Sequence, residues 1–471
     1  MKDPTLFQLL SRGMETTLRN LNPWWRGEAL LGLPPVRRWA FEPMQRHLRE
    51  GTVPCVVLRG PRQIGKTTLL NQLIAAELAA GMAPKRMLRL QFDELPELRR
   101  LSMPLVELVR WFEENVAGKT MNQAANEGAP FLVFLDEVQN LEDWAPQLKH
   151  LLDIGRVRAV VTGSSALRIE AGRDSLAGRI RTLEMGPLLL REIGQVRGLG
   201  ALEAALPDNG LTPLKGKETW LDLRASGERQ SELRRLVFAA FSERGAYPYA
   251  HVNPAEPWES LAEHLTETVV RRAIQHDLRL GPRGQKRDES LLAEVFRLGC
   301  TYIGQSPSQS SYLAELQRSL RANLGWQRVL AYLRFLDATL LLRLIEPLEL
   351  RLKRKRGAPK LCLCDHALRA AWLRETIPLT PAGLLAAPHL HDLAGRIAES
   401  VVGYFFKSIY GLGVHHFPER AAEPEVDFIL TVGEQRIPVE VKYRRRIEHA
   451  DTRGLRAFMD KAHYNAPSAC W

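Results

Sequence analysis

Cysteine is scarce in this chain of 471 residues, with five thiols at Cys55, Cys300, Cys362, Cys364 and Cys470. Thiols so few, odd in number and scattered exclude a disulfide framework and point to a reducing cytoplasm. Cys362 and Cys364 have no second pair at zinc spacing, which argues against a metal site there. Long apolar runs are also missing. No stretch approaches the roughly 18 residues that a bilayer span needs, and the opening Met-Lys-Asp-Pro-Thr-Leu-Phe lacks a continuous apolar signal core. The chain therefore reads as a soluble, cytoplasmic protein with no membrane partner. Internal repeats and low-complexity tracts are absent, and 45% apolar with 25% charged residues marks a globular protein. Acid is short relative to base. Asp and Glu number 54 against 65 Lys and Arg, a formal net charge of +11. That surplus attracts polyanions, either nucleic acid or anionic lipid.

What is present begins with Gly60-Pro61-Arg62-Gln63-Ile64-Gly65-Lys66-Thr67, which fits G-x-x-x-x-G-K-[ST] without a mismatch. The apolar run Cys55–Leu58 precedes it, and a helical pattern from Thr68 to Ile74 follows. This is the strand–loop–helix setting of a phosphate-binding loop. Gly60 and Gly65 let backbone N–H groups face the phosphates. Lys66 would reach the β- and γ-phosphates of ATP, and the Thr67 hydroxyl would bind Mg²⁺. Pro61, Arg62, Gln63, Ile64 and Thr68 complete the nucleotide-binding segment.

Phe131–Leu135 is a five-residue apolar run with Asp136 and Glu137 at its carboxyl end. Ligands bind at that end of strands in open α/β sheets. Asp136 would hold Mg²⁺ together with Thr67, and Glu137 would polarise the attacking water. A further strand, Arg158–Thr162, runs into Gly163-Ser164-Ser165. Ser164 reads either as a γ-phosphate sensor or as a helix N-cap. Arg179, after Leu176-Ala177-Gly178, is the candidate for an arginine supplied in trans to a neighbouring copy. Arg173 and Arg181 are its rivals.

Length leaves room for about three domains. Residues 1–45 read as helices, with Trp24-Trp25-Arg26 either a packed aromatic pair or an aromatic–basic patch. Residues 46–200 alternate strand and helix, with strands at Cys55–Leu58, Met87–Phe92, Phe131–Leu135 and Arg158–Thr162 and helices such as Pro104–Val116 and Trp144–Leu152. Residues 201–235 carry Pro207, Asn209-Gly210, Pro213 and Gly216 and read as a linker or insertion. Residues 236–380 are mainly helical. Within them, helical spacing at Tyr312–Leu316 and Trp326–Leu336 precedes two short strands, Leu340–Ile345 and Lys360–Asp365. Arg351, Lys353, Arg354, Lys355 and Arg356 lie between the strands. Two helices followed by a basic hairpin fit a winged helix that neutralises DNA phosphates without sequence choice. A solvated basic loop is the alternative.

Residues 389–471 return to α/β. Glu425-Val426-Asp427 and Pro438-Val439-Glu440-Val441-Lys442 flank Gly433-Glu434. Gly at the first turn position suits a two-residue type II′ hairpin. In that register Asp427 faces Glu440, and Lys442 shares their face. Two carboxylates and a lysine would hold a second Mg²⁺ for phosphodiester attack. A surface cross-strand charge cluster is the alternative. The chain stops at Trp471, where another strand is expected.

The residues Gly60–Thr67, Leu135–Gln139, Thr162–Ser165, Leu176–Arg179 and, more weakly, the turn Gly245-Ala246-Tyr247-Pro248 together resemble AAA+-like ATPases that carry a DUF4143 C-terminal part. One departure is Gly186–Glu192, where that family shows Pro-Leu-Ser-Phe. The C-terminal pattern resembles the PD-(D/E)xK nuclease fold of restriction endonucleases and Holliday-junction resolvases. That likeness implies catalytic roles for Asp427, Glu440 and Lys442 and a further acid from the helix at Asp392–Val402, namely Glu399. The expected fold is α/β, with a P-loop NTPase parallel sheet, then a mainly helical winged-helix region, then a small α/β nuclease-like domain. The expected function is an ATP-hydrolysing DNA-processing protein of motor, branch-migration or repair type that forms a homo-oligomeric ring. The alternative is an ATP-switched regulatory or defence protein whose nuclease-like domain is a binding scaffold.

Overall fold

The computed structural model describes residues 10–92, 98, 101–163, 174–204, 210–275, 288–349, 357–419, 423–444 and 446–470. Two compact units make up the chain. One comprises Met1–Gly60 and Gly65–Met185, the other Pro61–Ile64 and Gly186–Trp471.

The first unit is built on five parallel strands: β1 Cys55–Arg59, β2 Met87–Gln91, β3 Leu132–Asp136, β4 Arg158–Gly163 and β5 Ile180–Glu184. Their order is β2-β3-β4-β1-β5. β1, β3 and most of β2 and β4 are buried. Strands covered on both faces read as continuous apolar runs rather than alternating ones, which is why four of the five were legible. β5, Ile-Arg-Thr-Leu-Glu, is a half-exposed edge strand without such a run, and only its pairing with β1 reveals it. The helices Lys66–Ala79, Pro104–Phe112 and Trp144–Asp153 pack on the sheet.

The other edge, β2, is closed by the N-terminal segment. Asn22, fully buried, accepts from the Arg89 backbone N–H at 2.7 Å and donates to the Arg89 carbonyl at 2.9 Å. The Trp24 and Trp25 indoles both donate to the Met87 carbonyl. A bare strand edge invites pairing with another chain, and side chains here take the place of that partner. The two tryptophans are thus a packed pair rather than a surface patch.

The second unit is mainly helical up to about residue 377. The stretch read as a linker holds the helix Lys217–Arg229 and the start of the helix Ser231–Arg244. The first buries no residue, so its sequence has no apolar stripe to signal it. Helices Gln309–Leu320 and Trp326–Ala338 precede the antiparallel pair β6 Leu342–Ile345 and β7 Lys360–Leu363, both fully buried. The helix His391–Ser408 then leads into a three-stranded antiparallel sheet, β8 Gly413–Phe417, β9 Val426–Val432 and β10 Gln435–Val439, in the order β10-β9-β8. Past β10, Cys470 adds a parallel bridge at Val439.

β9 and β10 pair Val432 with Gln435 and Phe428 with Val439, the register in which Asp427 faces Glu440. Gly433 has φ 63° while Glu434 keeps a negative φ, as a type II′ turn requires. Gly403 lets the helix His391–Ser408 approach closely. A Cβ there would meet Cys362 Sγ at 2.6 Å and the Phe428 ring at 2.7 Å. The helix thereby lies against both β7 and β9, and the Leu363 N–H donates to the buried Ser400 hydroxyl at 2.8 Å.

Candidate functional site

The phosphate-binding segment leaves β1 and opens the helix Lys66–Ala79. Gln63 and Gly65 take positive φ of 62° and 89°, the left-handed backbone that anion-binding loops use. A Cβ built at Gly65 meets no atom within 4 Å, so the space a phosphate needs is open. Lys66, buried, donates to the Gly60 carbonyl at 3.2 Å and lies 3.7 Å from Glu137 Oε1.

β4 sits between β1 and β3, so the carboxyl ends of all three meet here. Thr162, which the sequence marks only as the end of a strand and part of a motif, is brought into the site by this order. Its hydroxyl donates to Asp136 Oδ1 and accepts from the Glu137 N–H at 3.2 Å. Arg89, from β2, reaches Asp136 Oδ2 at 3.4 Å. Gln139 donates to Glu137 Oε2. Burial pushes the Asp136 carboxyl above its ordinary range, while hydrogen bonds from Thr162 and Thr67 and the Arg89 charge act against the rise. Glu137 itself holds φ 52°, a conformation uncommon for a residue with a Cβ. Such strain collects where a side chain must be aimed.

The oxygen donors Thr67 and Asp136 are in contact, and Lys66 stands over the same ground. Hard oxygen ligands beside an ammonium and an open glycine loop suit a nucleotide with its Mg²⁺. Ser164 and Arg173 lie outside the described residues. Arg179 is placed just before β5 and pairs with Asp153 through both carboxylate oxygens, at 2.5 and 2.9 Å. Cys55 pairs with Ile180 and Arg59 with Glu184, so Arg179 lies at the amino end of the sheet. That is roughly 16 Å from the carboxyl end, at about 3.3 Å per residue.

A second cluster lies in the other unit. Asp427, Glu440 and Lys442 converge, and Glu399 from the helix His391–Ser408 joins them. The Lys442 ammonium donates to Glu440 Oε1 at 2.5 Å, and the Val441 N–H donates to Asp427 Oδ2 at 2.8 Å. Sequence reasoning missed Lys360 and Glu425. Lys360, 1% exposed at the start of β7, donates to Glu399 and lies 3.4 Å from Asp427 Oδ1 and 3.5 Å from Glu425 Oε1. Its ammonium is also 5.2 Å from the centre of the Phe428 ring. The signal was a lone lysine opening an otherwise apolar strand, Lys-Leu-Cys-Leu.

Burial alone would lower the Lys360 pKa, but the carboxylates of Glu399, Asp427 and Glu425 outweigh it and raise it. Burial pushes Glu399 up to about 8, with Asp427 adding to the rise and Lys360 opposing it. Glu440 rises to about 7, again through burial and then Asp427, against the pull of Lys442.

These residues do not fit a resident divalent cation. Both oxygens of Asp427, one of Glu399 and one of Glu440 already face protein donors, and a lysine ammonium stands among the first three; Glu440 Oε2 is buried and without a hydrogen-bond partner. Among the described residues, no three or more His, Cys, Asp or Glu side chains are grouped to hold a metal. The basic residues Arg351, Lys353, Arg354, Lys355 and Arg356 lie outside the described residues.

A pH effect follows. A carboxyl whose pKa is raised from 4.5 to about 8 holds its proton in the fold where the unfolded chain has lost it. Stability is then lost as pH rises across that window. Urea unfolding of the second unit should show lower stability at pH 9 than at pH 6. Glu399→Gln should flatten part of that fall, and an unchanged slope would remove Glu399 as its source.

Comparisons with known proteins match two stretches of the chain. Residues 52–194 match a family model described as an AAA domain, and residues 394–470 match a domain of unknown function, DUF4143. The chain carries an AAA-type P-loop ATPase domain. A DUF4143 domain follows it. An uncharacterized protein of Methanocaldococcus jannaschii is 29% identical over 151 residues, covering 32% of this chain and 30% of that protein. One of Mycobacterium tuberculosis is 31% identical over 163 residues, covering 34% and 30%. The match thus spans less than a third of these relatives. Among solved structures, a Walker-type ATPase of Pyrococcus abyssi covers 73% of this chain and 99% of its own, at 14% identity and TM-score 0.44. The Orc1 protein of Aeropyrum pernix, solved in complex with DNA, covers 75% and 96% at 15% identity and TM-score 0.28. No helix among the described residues is long and apolar enough to cross a membrane.

Proposed function

We propose that this chain binds and hydrolyses ATP and couples the hydrolysis to work on DNA in the cytoplasm. The observation that carries the reading is the meeting of Lys66, Thr67, Asp136, Glu137 and Thr162 at the carboxyl ends of three adjacent parallel strands. Lys66 would hold the β- and γ-phosphates, and Thr67 and Asp136 would hold Mg²⁺, whose charge would offset that of the phosphates. Thr162 fixes the Asp136 carboxylate and the Glu137 backbone, and Glu137 would orient a water and take its proton. In-line attack at phosphorus depends on such positioning and on charge compensation more than on covalent chemistry.

Arg179 cannot serve the nucleotide of its own copy from the opposite end of the sheet. A second copy, as in a ring, is what it would reach, after release from an Asp153 pair that solvent weakens. The DNA role is supported by the +11 charge and by the run of Arg351, Lys353, Arg354, Lys355 and Arg356 in the sequence. A second reading, in which ATP switches a scaffold and the DUF4143 domain binds without cutting, gains support from Lys360. Cleavage by Asp427, Glu440 and Lys442 ranks behind it.

The test is ATP turnover with Mg²⁺, alone and with single-stranded, duplex and four-way-junction DNA. Stimulation by one DNA form is expected. A flat response would overturn the DNA reading and leave the switched scaffold.

A further inference from the structure

The cluster around Asp427 has the shape of a cation site already filled by the chain itself. We propose that Lys360 is the built-in counter-ion of the DUF4143 domain, standing where a divalent cation would otherwise sit among Glu399, Glu425 and Asp427, so that the domain is assembled and used without metal. The proposal is independent of ATP turnover.

Three observations carry it. Lys360 is almost fully buried, and its ammonium is within 3.5 Å of Glu425 and Asp427 as well as bonded to Glu399. A buried lysine with three carboxylates around it is a cation held by design of the packing, because an ammonium leaves water only where charge replaces hydration. Second, Asp427 has no oxygen to spare. Oδ1 faces Lys360 and Oδ2 takes the Val441 N–H. A divalent ion seated among Glu399, Glu425 and Asp427 would meet the Lys360 ammonium in the same space, and two cations cannot share it, so the metal enters only where the lysine leaves. Third, the lysine comes from a different element. β7 belongs to the two-stranded pair, whereas Glu399 lies on the helix His391–Ser408 and Glu425 and Asp427 lie at β9. The ammonium therefore ties three elements together, which a structural cation also does.

The consequence is a domain that keeps the carboxylate and lysine positions of a nuclease-like pattern but uses them as a lock, with an ammonium from β7 holding the helix His391–Ser408 to β9.

The experiment uses the full-length, nucleotide-free protein and Mn²⁺ as the probe. Titration calorimetry should give the same Mn²⁺ isotherm for the wild type and for Asp427→Asn. A wild-type Mn²⁺ equivalent that Asp427→Asn loses would overturn the proposal. Lys360→Met should lower Tm on the order of 10 °C, since removing one partner of a buried pair strands the others. It should also gain one Mn²⁺ equivalent that restores part of the loss. Lys360→Arg, which keeps the charge, should lose less and gain no Mn²⁺. A Lys360→Met protein that melts like the wild type, or stays indifferent to Mn²⁺, would refute the counter-ion. If Lys360→Met does not fold, the wild type against Asp427→Asn comparison decides alone.

Discussion

Replacing Lys66 by Ala should reduce ATP turnover by about 10²–10³-fold, the scale on which a single aimed charge stabilises a transition state. The side chain is buried between the Gly60 carbonyl and Glu137, inside the loop rather than on its surface. Its loss therefore removes a positive charge from a place water reaches poorly, where charge counts most. Because Lys66 would touch the phosphates in the ground state as well, nucleotide affinity should fall along with the rate. Glu137→Gln, by contrast, should keep nucleotide bound and lose the rate. Binding of a fluorescent ATP analogue beside single-turnover hydrolysis separates the two. A Lys66→Ala protein with wild-type turnover would remove the P-loop from the mechanism.

The second large effect is structural. Gly245→Ala should lower the Tm of the second unit on the order of 10 °C. Gly245 holds φ 75° and ψ −149°, a region that essentially only glycine enters. A Cβ there would also run into Ala367 Cβ and both carboxylate oxygens of Asp365. Asp365 is already committed, because it accepts from the Ala246 N–H at 2.7 Å and the Ala367 N–H at 3.0 Å. Backbone strain costs about 1–3 kcal/mol, and overpacking costs about 1–3 kcal/mol more. At about 2–4 °C per kcal/mol for a unit of this size, the fall is readily measured by calorimetry. A Tm within a degree of the wild type would mean that the turn relaxes at no cost.

Much of the fold was legible because it is local. The spacing of Gly60, Gly65, Lys66 and Thr67 is a property of eight consecutive residues, and four of the five parallel strands announce themselves as apolar runs. The β9–β10 register followed from one glycine, since a two-residue turn with positive φ at Gly433 admits one alignment of the strands behind it. The helix Lys217–Arg229 was hidden for the opposite reason: it buries nothing, and periodicity is a record of burial.

The sequence by itself determined the phosphate loop, the two carboxylates after β3 and the facing of Asp427 and Glu440. Each of these rests on residues close along the chain or joined by a tight turn. Only the tertiary structure decided what surrounds them. Thr162 reaches Asp136 because β4 was inserted between β1 and β3, and no local pattern states the order of strands. Arg179 fell at the far end of the sheet from the loop through the pairing of β5 with β1. Lys360 met Glu399 and Asp427 across 39 and 67 residues of chain. A buried charge chooses its partners by proximity after folding, so its meaning is written in the packing and not in its neighbours along the sequence.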